Sequence, residues 1–300
     1  MRRKIAPLAL ALAVLLTGCT SAGISSDPAP SSTPVAEAVQ PSAEPSTPAP
    51  IEPAAVSQEK LAKLPWVSTF TVYSRADVPV EPGTPYRNAV ASLPKGADFA
   101  IAYTKPGGPA FALIGEKELS DKTALPVISR QAGWVLVLIP GRLNLPGDGP
   151  VNGAAAWVPE SQVSLREQST QVVVDLGAGE VRVLESLEEV ASYPITLDGN
   201  DLTPAMGVRG FAVSSYFTQE GRACSSQKSI ALSTQSEEYK SFVDGASLIA
   251  IHSWSESCRA RSAQTTRTSG CINISDTDMA DLLKRVKPGT PITFKGGENS

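Results

Sequence analysis

Between Trp66 and Leu165 the apolar positions fall in short runs divided by glycine and proline, as at 69–73, 99–103, 124–129 and 134–140. The runs favour β-branched and aromatic residues, and none repeats its apolar positions at three- and four-residue steps. The pattern predicts an all-β unit over 65–167. A second β pattern begins after Ser169, with strands expected at 171–176, 180–184 and 190–196 and a tight turn at Gly177-Ala178-Gly179. It continues at 210–217, 229–233 and 247–251. One helix comes late in the chain. Ser275 caps it with Asp278 three residues on, Met279, Leu282, Leu283 and Val286 share a face, and Lys287-Pro288-Gly289 ends it. A last strand is expected at 292–295, so 169–296 reads as a β-rich unit with one helix.

The amino-terminal end departs from both patterns. Arg2, Arg3 and Lys4 precede an apolar stretch over 5–16 that is short for a membrane span, as in an export signal. Leu16-Thr17-Gly18-Cys19 looks like a bacterial lipobox, which makes 1–18 a signal peptide and Cys19 the site of lipidation. Two or three acyl chains anchor far more firmly than one. The protein is then expected outside the cytoplasm, held on the cell membrane and facing the wall. Residues 19–60 are dominated by Pro, Ala, Ser and Thr, with eight prolines between Pro28 and Pro53. Such a composition buries too little apolar surface to offset its ordering entropy and predicts a disordered stalk.

Net charge is −4 and no basic run is present, which argues against a nucleic-acid partner. No glycine-rich phosphate loop or dinucleotide fingerprint appears, and no cofactor is expected.

The chemistry concentrates between His252, the single histidine, and Cys271, 19 residues later in Thr268-Ser269-Gly270-Cys271-Ile272-Asn273. An imidazole that takes the thiol proton leaves a thiolate, which attacks carbonyl carbon far better than a thiol does. If Cys271 uses a histidine base, it is His252. A lone histidine also serves as a hydrogen-bonded core residue. A zinc site of His252 with Cys224, Cys258 and Cys271 is the metal alternative, but the spacings His-x5-Cys and Cys-x12-Cys form no usual ligand knuckle, and no metal is expected. If Cys19 of the four cysteines is lipidated, three remain, so at least one thiol stays outside any intrachain bridge. Spacing does not say which.

His252-Ser253 at the end of an Ile249-Ala250-Ile251 strand, followed by Ser269-Gly270-Cys271-Ile272-Asn273, resembles the YkuD-type L,D-transpeptidases. Thr203-Pro204 before Gly207 and Phe211 is similar to the family's Thr-Pro-x-Gly-x-Phe segment, with extra residues. Two positions depart from the common pattern: Ser269 stands where most members have histidine, and Asn273 where most have arginine. The resemblance implies a β-sandwich-like catalytic fold over 169–296 and peptidoglycan stem peptides as substrate. It implies links between third-position residues made through a thioester on Cys271, and carbapenems as covalent inhibitors. It makes Cys271 the nucleophile and His252 the base and acid. Ser253 becomes the group that orients the imidazole, and the backbone N–H of Gly270 an oxyanion donor. Because it requires an unbridged Cys271, it pairs Cys224 with Cys258.

Trp254, Arg267, Ser269, Asn273 and Tyr216 are the candidate substrate-binding residues. Arg259, Arg261 and Arg267 either favour the thiolate and meet a stem carboxylate or are simply solvated. Tyr216, Phe217 and Trp254 line the cleft or pack in the core. The runs around Leu125, Gly133-Trp134, Ala156-Trp157 and Val163 resemble a bacterial SH3-like barrel, in which Trp134 and Trp157 are either groove or core residues. That unit binds wall peptide or acts as a spacer. Other functional readings are an L,D-carboxypeptidase, a sortase-like transpeptidase and a catalytically silent wall-binding lipoprotein. The His-to-Cys spacing is short for a sortase, and Thr-Leu-x-Thr-Cys is missing.

Overall fold

The computed structural model describes residues 49–195, 207–215, 225–241, 246–254 and 270–296, with backbone only at 225–228 and 254. Everything described below lies in one compact unit, Thr47–Ser300. Cys19, Thr203-Pro204, Tyr216, Phe217, Cys224, Cys258, Arg259, Arg261, Arg267 and Ser269 lie outside the described residues.

The first part of the unit begins with a short helix α1 (Gln58–Leu61) capped by Ser57. Its strands are β1 (Ala89–Ser92), β2 (Phe99–Tyr103), β3 (Ala110–Gly115), the small hairpin β4 (Lys117–Glu118) and β5 (Asp121–Lys122), β6 (Leu125–Gln131), β7 (Trp134–Leu138), β8 (Ala155–Pro159) and β9 (Ser164–Glu167). Seven of these pair antiparallel in the order β3-β2-β8-β7-β6-β1-β9. The core is built from Phe111, Val127, Ile128, Val135, Val137 and Val158, with Ala100, Ala102, Ala112 and Ala156 letting the strands pack closely.

Two expectations change here. The run 69–73 is not a strand and contributes one bridge, Val72 to Arg142. The reason is a contact distant in sequence: the N–H and hydroxyl of Thr69 both donate to the buried Glu118 carboxylate, at 2.8 Å each, and that N–H cannot also extend a ladder. Residues 49–56, within the stretch to 60 expected as a disordered stalk, lie against the sheet instead. Ile51 donates its N–H to Ala132 O at 3.0 Å and accepts the indole N–H of Trp134 at 2.7 Å. Trp134 is fully buried against Tyr103, and Trp157 is half-buried beside them.

The second part contains β10 (Thr170–Asp175), β11 (Glu180–Glu185), β12 (Glu188–Pro194), β13 (Arg209–Ser214), β14 (Ser225–Gln235), β15 (Leu248–Trp254), β16 (Ile272–Ile274), α2 (Asp276–Arg285) and β17 (Pro291–Lys295). They form one eight-stranded sheet in the order β12-β11-β10-β17-β13-β14-β15-β16. β17 runs parallel to β10 and β16 parallel to β15. α2 covers one face as its sequence requires: Ser275 Oγ accepts from Asp278 N at 3.1 Å, while Met279 and Leu282, followed by Val286, bury against Ile230, Leu232, Ile251 and Ile274. Tyr193 ties β12 to this helix by donating its hydroxyl to Asp281 at 2.7 Å. Burial first, and that bond second, push its pKa up to about 12.

The two sheets are joined by apolar and polar contacts. Phe211 and Val213 from β13 enter the core of the first sheet. Asn152 pairs with the backbone of Gln235 as a strand would, accepting its N–H at 2.7 Å and donating to its carbonyl at 2.9 Å. The Gln235 side chain donates to Thr69 O at 2.6 Å. Arg209 stacks 4.0 Å over Tyr86 and pairs with Glu81.

Gly210 sits where a Cβ would lie 2.3 Å from Thr234 Oγ1 and 2.9 Å from Ser233 Oγ, both on the neighbouring strand. Gly210→Ala is expected to lower unfolding free energy by about 1–3 kcal/mol through overpacking. Chemical denaturation checks this, and an unchanged midpoint would mean that β14 yields at no cost.

Candidate active site

The site is set by strand alternation at the β15–β16 edge. Ile249, Ile251 and Ser253 point to the core face and are buried, leaving Ala250 and His252 on the other face. On β16 the same rule sends Ile272 and Ile274 to the core, which puts Asn273 and the preceding Cys271 on the face of His252. The parallel register is Ile251 to Ile272, His252 to Asn273 and Ser253 to Ile274. His252 and Asn273 are therefore direct neighbours across the strands, and Cys271 lies on the diagonal from His252. His252 and Cys271 are both half-buried, while Asn273 is buried.

Gly270 delivers the cysteine to this position. Its φ of +99° lies in the left-handed region, and an added Cβ would touch Ile249 at 3.4 Å. The contact is an ordinary one, but the backbone would be strained with any side chain, so glycine suits the turn into β16.

Ser253 acts in two directions. Its hydroxyl, on the core side, donates to Asp276 Oδ1, the first residue of α2, at 2.5 Å. That bond fastens the strand bearing His252 to the helix that follows Cys271. Its carbonyl oxygen lies 3.5 Å from His252 Nδ1, the outer limit of a hydrogen bond. A proton held on Nδ1 by this carbonyl leaves Nε2 as the basic nitrogen. The carbonyl, and not the hydroxyl, is the part of Ser253 that faces the imidazole.

Ser253→Ala is accordingly expected to cost about 1–3 kcal/mol of stability, because it strips Asp276 of a charge-assisted partner. Turnover of the folded protein should stay within about tenfold of wild type, since the backbone carbonyl persists. Denaturation and turnover measured on one preparation separate the two effects. A loss of turnover matching His252→Ala would assign the orienting role to the hydroxyl.

The structure brings together His252, Ser253, Gly270, Cys271 and Asn273. Of Trp254 it gives the backbone, paired with Ser225. Two further residues join the site. Asp276 looks like an ordinary helix-start acid in sequence, and Ser229 becomes a neighbour of His252 only through the β14–β15 register. Among the described residues no three His, Cys, Asp or Glu side chains gather as a metal site, and no helix is long and apolar enough to cross a membrane.

Residues 169–293 match the family model of the L,D-transpeptidase catalytic domain, YkuD. The matched segment holds every described residue of the site. No curated protein matches the chain. Among solved structures the chain is similar to L,D-transpeptidase 1 of Mycobacterium tuberculosis, at 17% identity and TM-score 0.31, over 54% of this chain and 90% of that one. An L,D-transpeptidase from Mycobacterium smegmatis gives 16% identity and TM-score 0.31 over the same shares, 54% and 90%. L,D-transpeptidase LdtMt1 in complex with imipenem gives 16% identity and TM-score 0.30, over 68% of this chain and 98% of that one.

Proposed function

We propose that the protein is a peptidoglycan L,D-transpeptidase that links third-position residues of stem peptides through a thioester on Cys271. The observation that carries this reading is the placement of Cys271 and His252 on one face of two paired parallel strands, within the segment that matches the catalytic domain. His252 Nε2 takes the Cys271 proton, and the sulfur attacks the carbonyl of the third stem residue. The backbone N–H groups of Gly270 and Cys271 receive the oxyanion. The C–N bond to the terminal D-Ala breaks, His252 protonates the leaving amine, and D-Ala departs. The amine of a neighbouring stem then attacks the thioester, gives a proton to His252, and the C–S bond breaks to restore the thiol. Asn273, which pairs with His252 across the strands, is proposed to contact the stem together with Trp254, Arg267, Ser269 and Tyr216.

A carbapenem presents a strained carbonyl to the same sulfur and should acylate it. The Leu16-Thr17-Gly18-Cys19 sequence supports a lipid anchor on Cys19, outside the cytoplasm, and the oxidising exterior suits a Cys224–Cys258 bridge. The 65–167 region is proposed as an SH3-like unit.

The reading is tested with purified protein and tetrapeptide stems by mass spectrometry. One D-Ala released per cross-linked dimer is the expected result. D-Ala release with no dimer would make the protein an L,D-carboxypeptidase.

A further inference from the structure

Residues 50–56 lie in a groove of the first sheet whose floor is Tyr103, Trp134 and Trp157. Its rims are the turns at Gly107 and Gly133, where an added Cβ would meet Ile51 Cγ2 at 3.0 Å and Pro50 Cβ at 3.4 Å. The segment belongs to no strand or helix. Its Ile51 N–H donates to Ala132 O at 3.0 Å. The Trp134 indole N–H donates to Ile51 O at 2.7 Å, and the Tyr103 hydroxyl to Ala54 O at 3.4 Å. Val56 joins the aromatic cluster at the other end.

These contacts suit one kind of ligand. A polyproline II chain turns once every three residues, so carbonyls three apart, as at Ile51 and Ala54, fall on one side of it. Pro50 and Pro53 repeat the same spacing. A proline has no N–H to leave unpaired and enters a groove with its φ already fixed, so little ordering entropy is lost. Aromatic-lined grooves recognise proline-rich chains by this combination. The segment is also held lightly: 50–52, 54 and 55 are exposed, and Pro53 and Val56 are half-buried. Leu64, beyond α1, packs on the same cluster and tethers it. A short tether supplies an effective concentration on the order of 1 mM, so a free affinity of about 0.1 mM fills the groove roughly ten to one.

We propose that this groove is a binding site for proline-rich peptide and that residues 50–56 are its tethered ligand, bound reversibly in cis. The first sheet thereby clamps the end of the proline-rich stretch and fixes the point at which that stretch joins the folded unit.

The test uses the full-length chain and a full-length variant carrying Pro50→Gly, Ile51→Ser, Pro53→Gly and Val56→Ser, in which the groove should stand open. Exchange of the Trp134 indole proton is followed by nuclear magnetic resonance. It should be at least about tenfold faster in the variant, with a melting temperature within a few degrees of wild type. A synthetic peptide of residues 48–56 should restore protection in the variant and bind wild type about tenfold more weakly, because the wild-type groove is filled. The same peptide with Pro50→Gly and Pro53→Gly should bind the variant about tenfold more weakly than the natural one. An unfolded variant would make the segment part of the core and overturn the site. So would failure of the peptide to restore protection, or equal binding of the glycine peptide. A wild-type dimer holding the partner's segment, seen by sedimentation and cross-linking, would overturn binding in cis. None of these readouts depends on turnover.

Discussion

Cys271→Ala protein should take up no carbapenem mass and should release D-Ala at least about four orders of magnitude more slowly than wild type, because the atom that forms the thioester is gone. The fold should survive. Cys271 is half-buried outside the apolar core, and the neighbours that hold the turn are Gly270 and the buried Ile272. Intact-protein mass spectra of both proteins after carbapenem treatment check the prediction. Equal adducts on the two would place the reactive group elsewhere and remove the mechanism.

His252→Ala should lose acylation and turnover at neutral pH, and the two should separate as the pH is raised. The chain has no other histidine to take over. An ordinary thiol with a pKa near 8.5 is only a few per cent thiolate at pH 7, and roughly nine-tenths thiolate near pH 9.5. Acylation of the variant should therefore rise more than about tenfold over that interval. Turnover should stay low, since no imidazolium remains to protonate the leaving amine. D-Ala release by this variant equal to wild type at neutral pH would exclude His252 as the base. Failure of alkaline pH to restore acylation would give the imidazole a structural part in holding the β15–β16 edge.

Local signals placed most elements of the second sheet. The Ser275 cap, the apolar face of Met279 and Leu282, and the stop at Gly289 made α2 readable from neighbours in sequence alone. β16 was not readable: three residues between the 270 turn and a helix cap give no periodicity, and the strand exists because it pairs with β15. That pairing is also what makes Cys271 and His252 neighbours. Their sequence spacing offered the chemistry, and the family resemblance offered the order, but only the register supplies the shared face. The Ser253–Asp276 bond was hidden for the same reason, since the pair is 23 residues apart.

The first sheet was obscured by polar contacts over long distances. Thr69 leaves the expected strand because Glu118 takes its N–H, and a strand propensity at 69–73 contains no trace of a carboxylate 49 residues on. Composition made residues 49–56 look like more of the stalk. They order because Trp134 and Tyr103 grip the backbone carbonyls of Ile51 and Ala54, atoms that every residue has. The Asn152–Gln235 pairing likewise uses backbone groups and leaves no pattern in the apolar positions.

The most direct test of the central claim is to trap the acyl-enzyme on a natural stem. Wild-type protein mixed with tetrapeptide stem, quenched in acid and digested, should yield a peptide containing Cys271 that carries the acyl tripeptide mass. Added acceptor amine should discharge that mass into a cross-linked product. Turnover with no acyl mass on Cys271, or with that mass on another residue, would contradict the account.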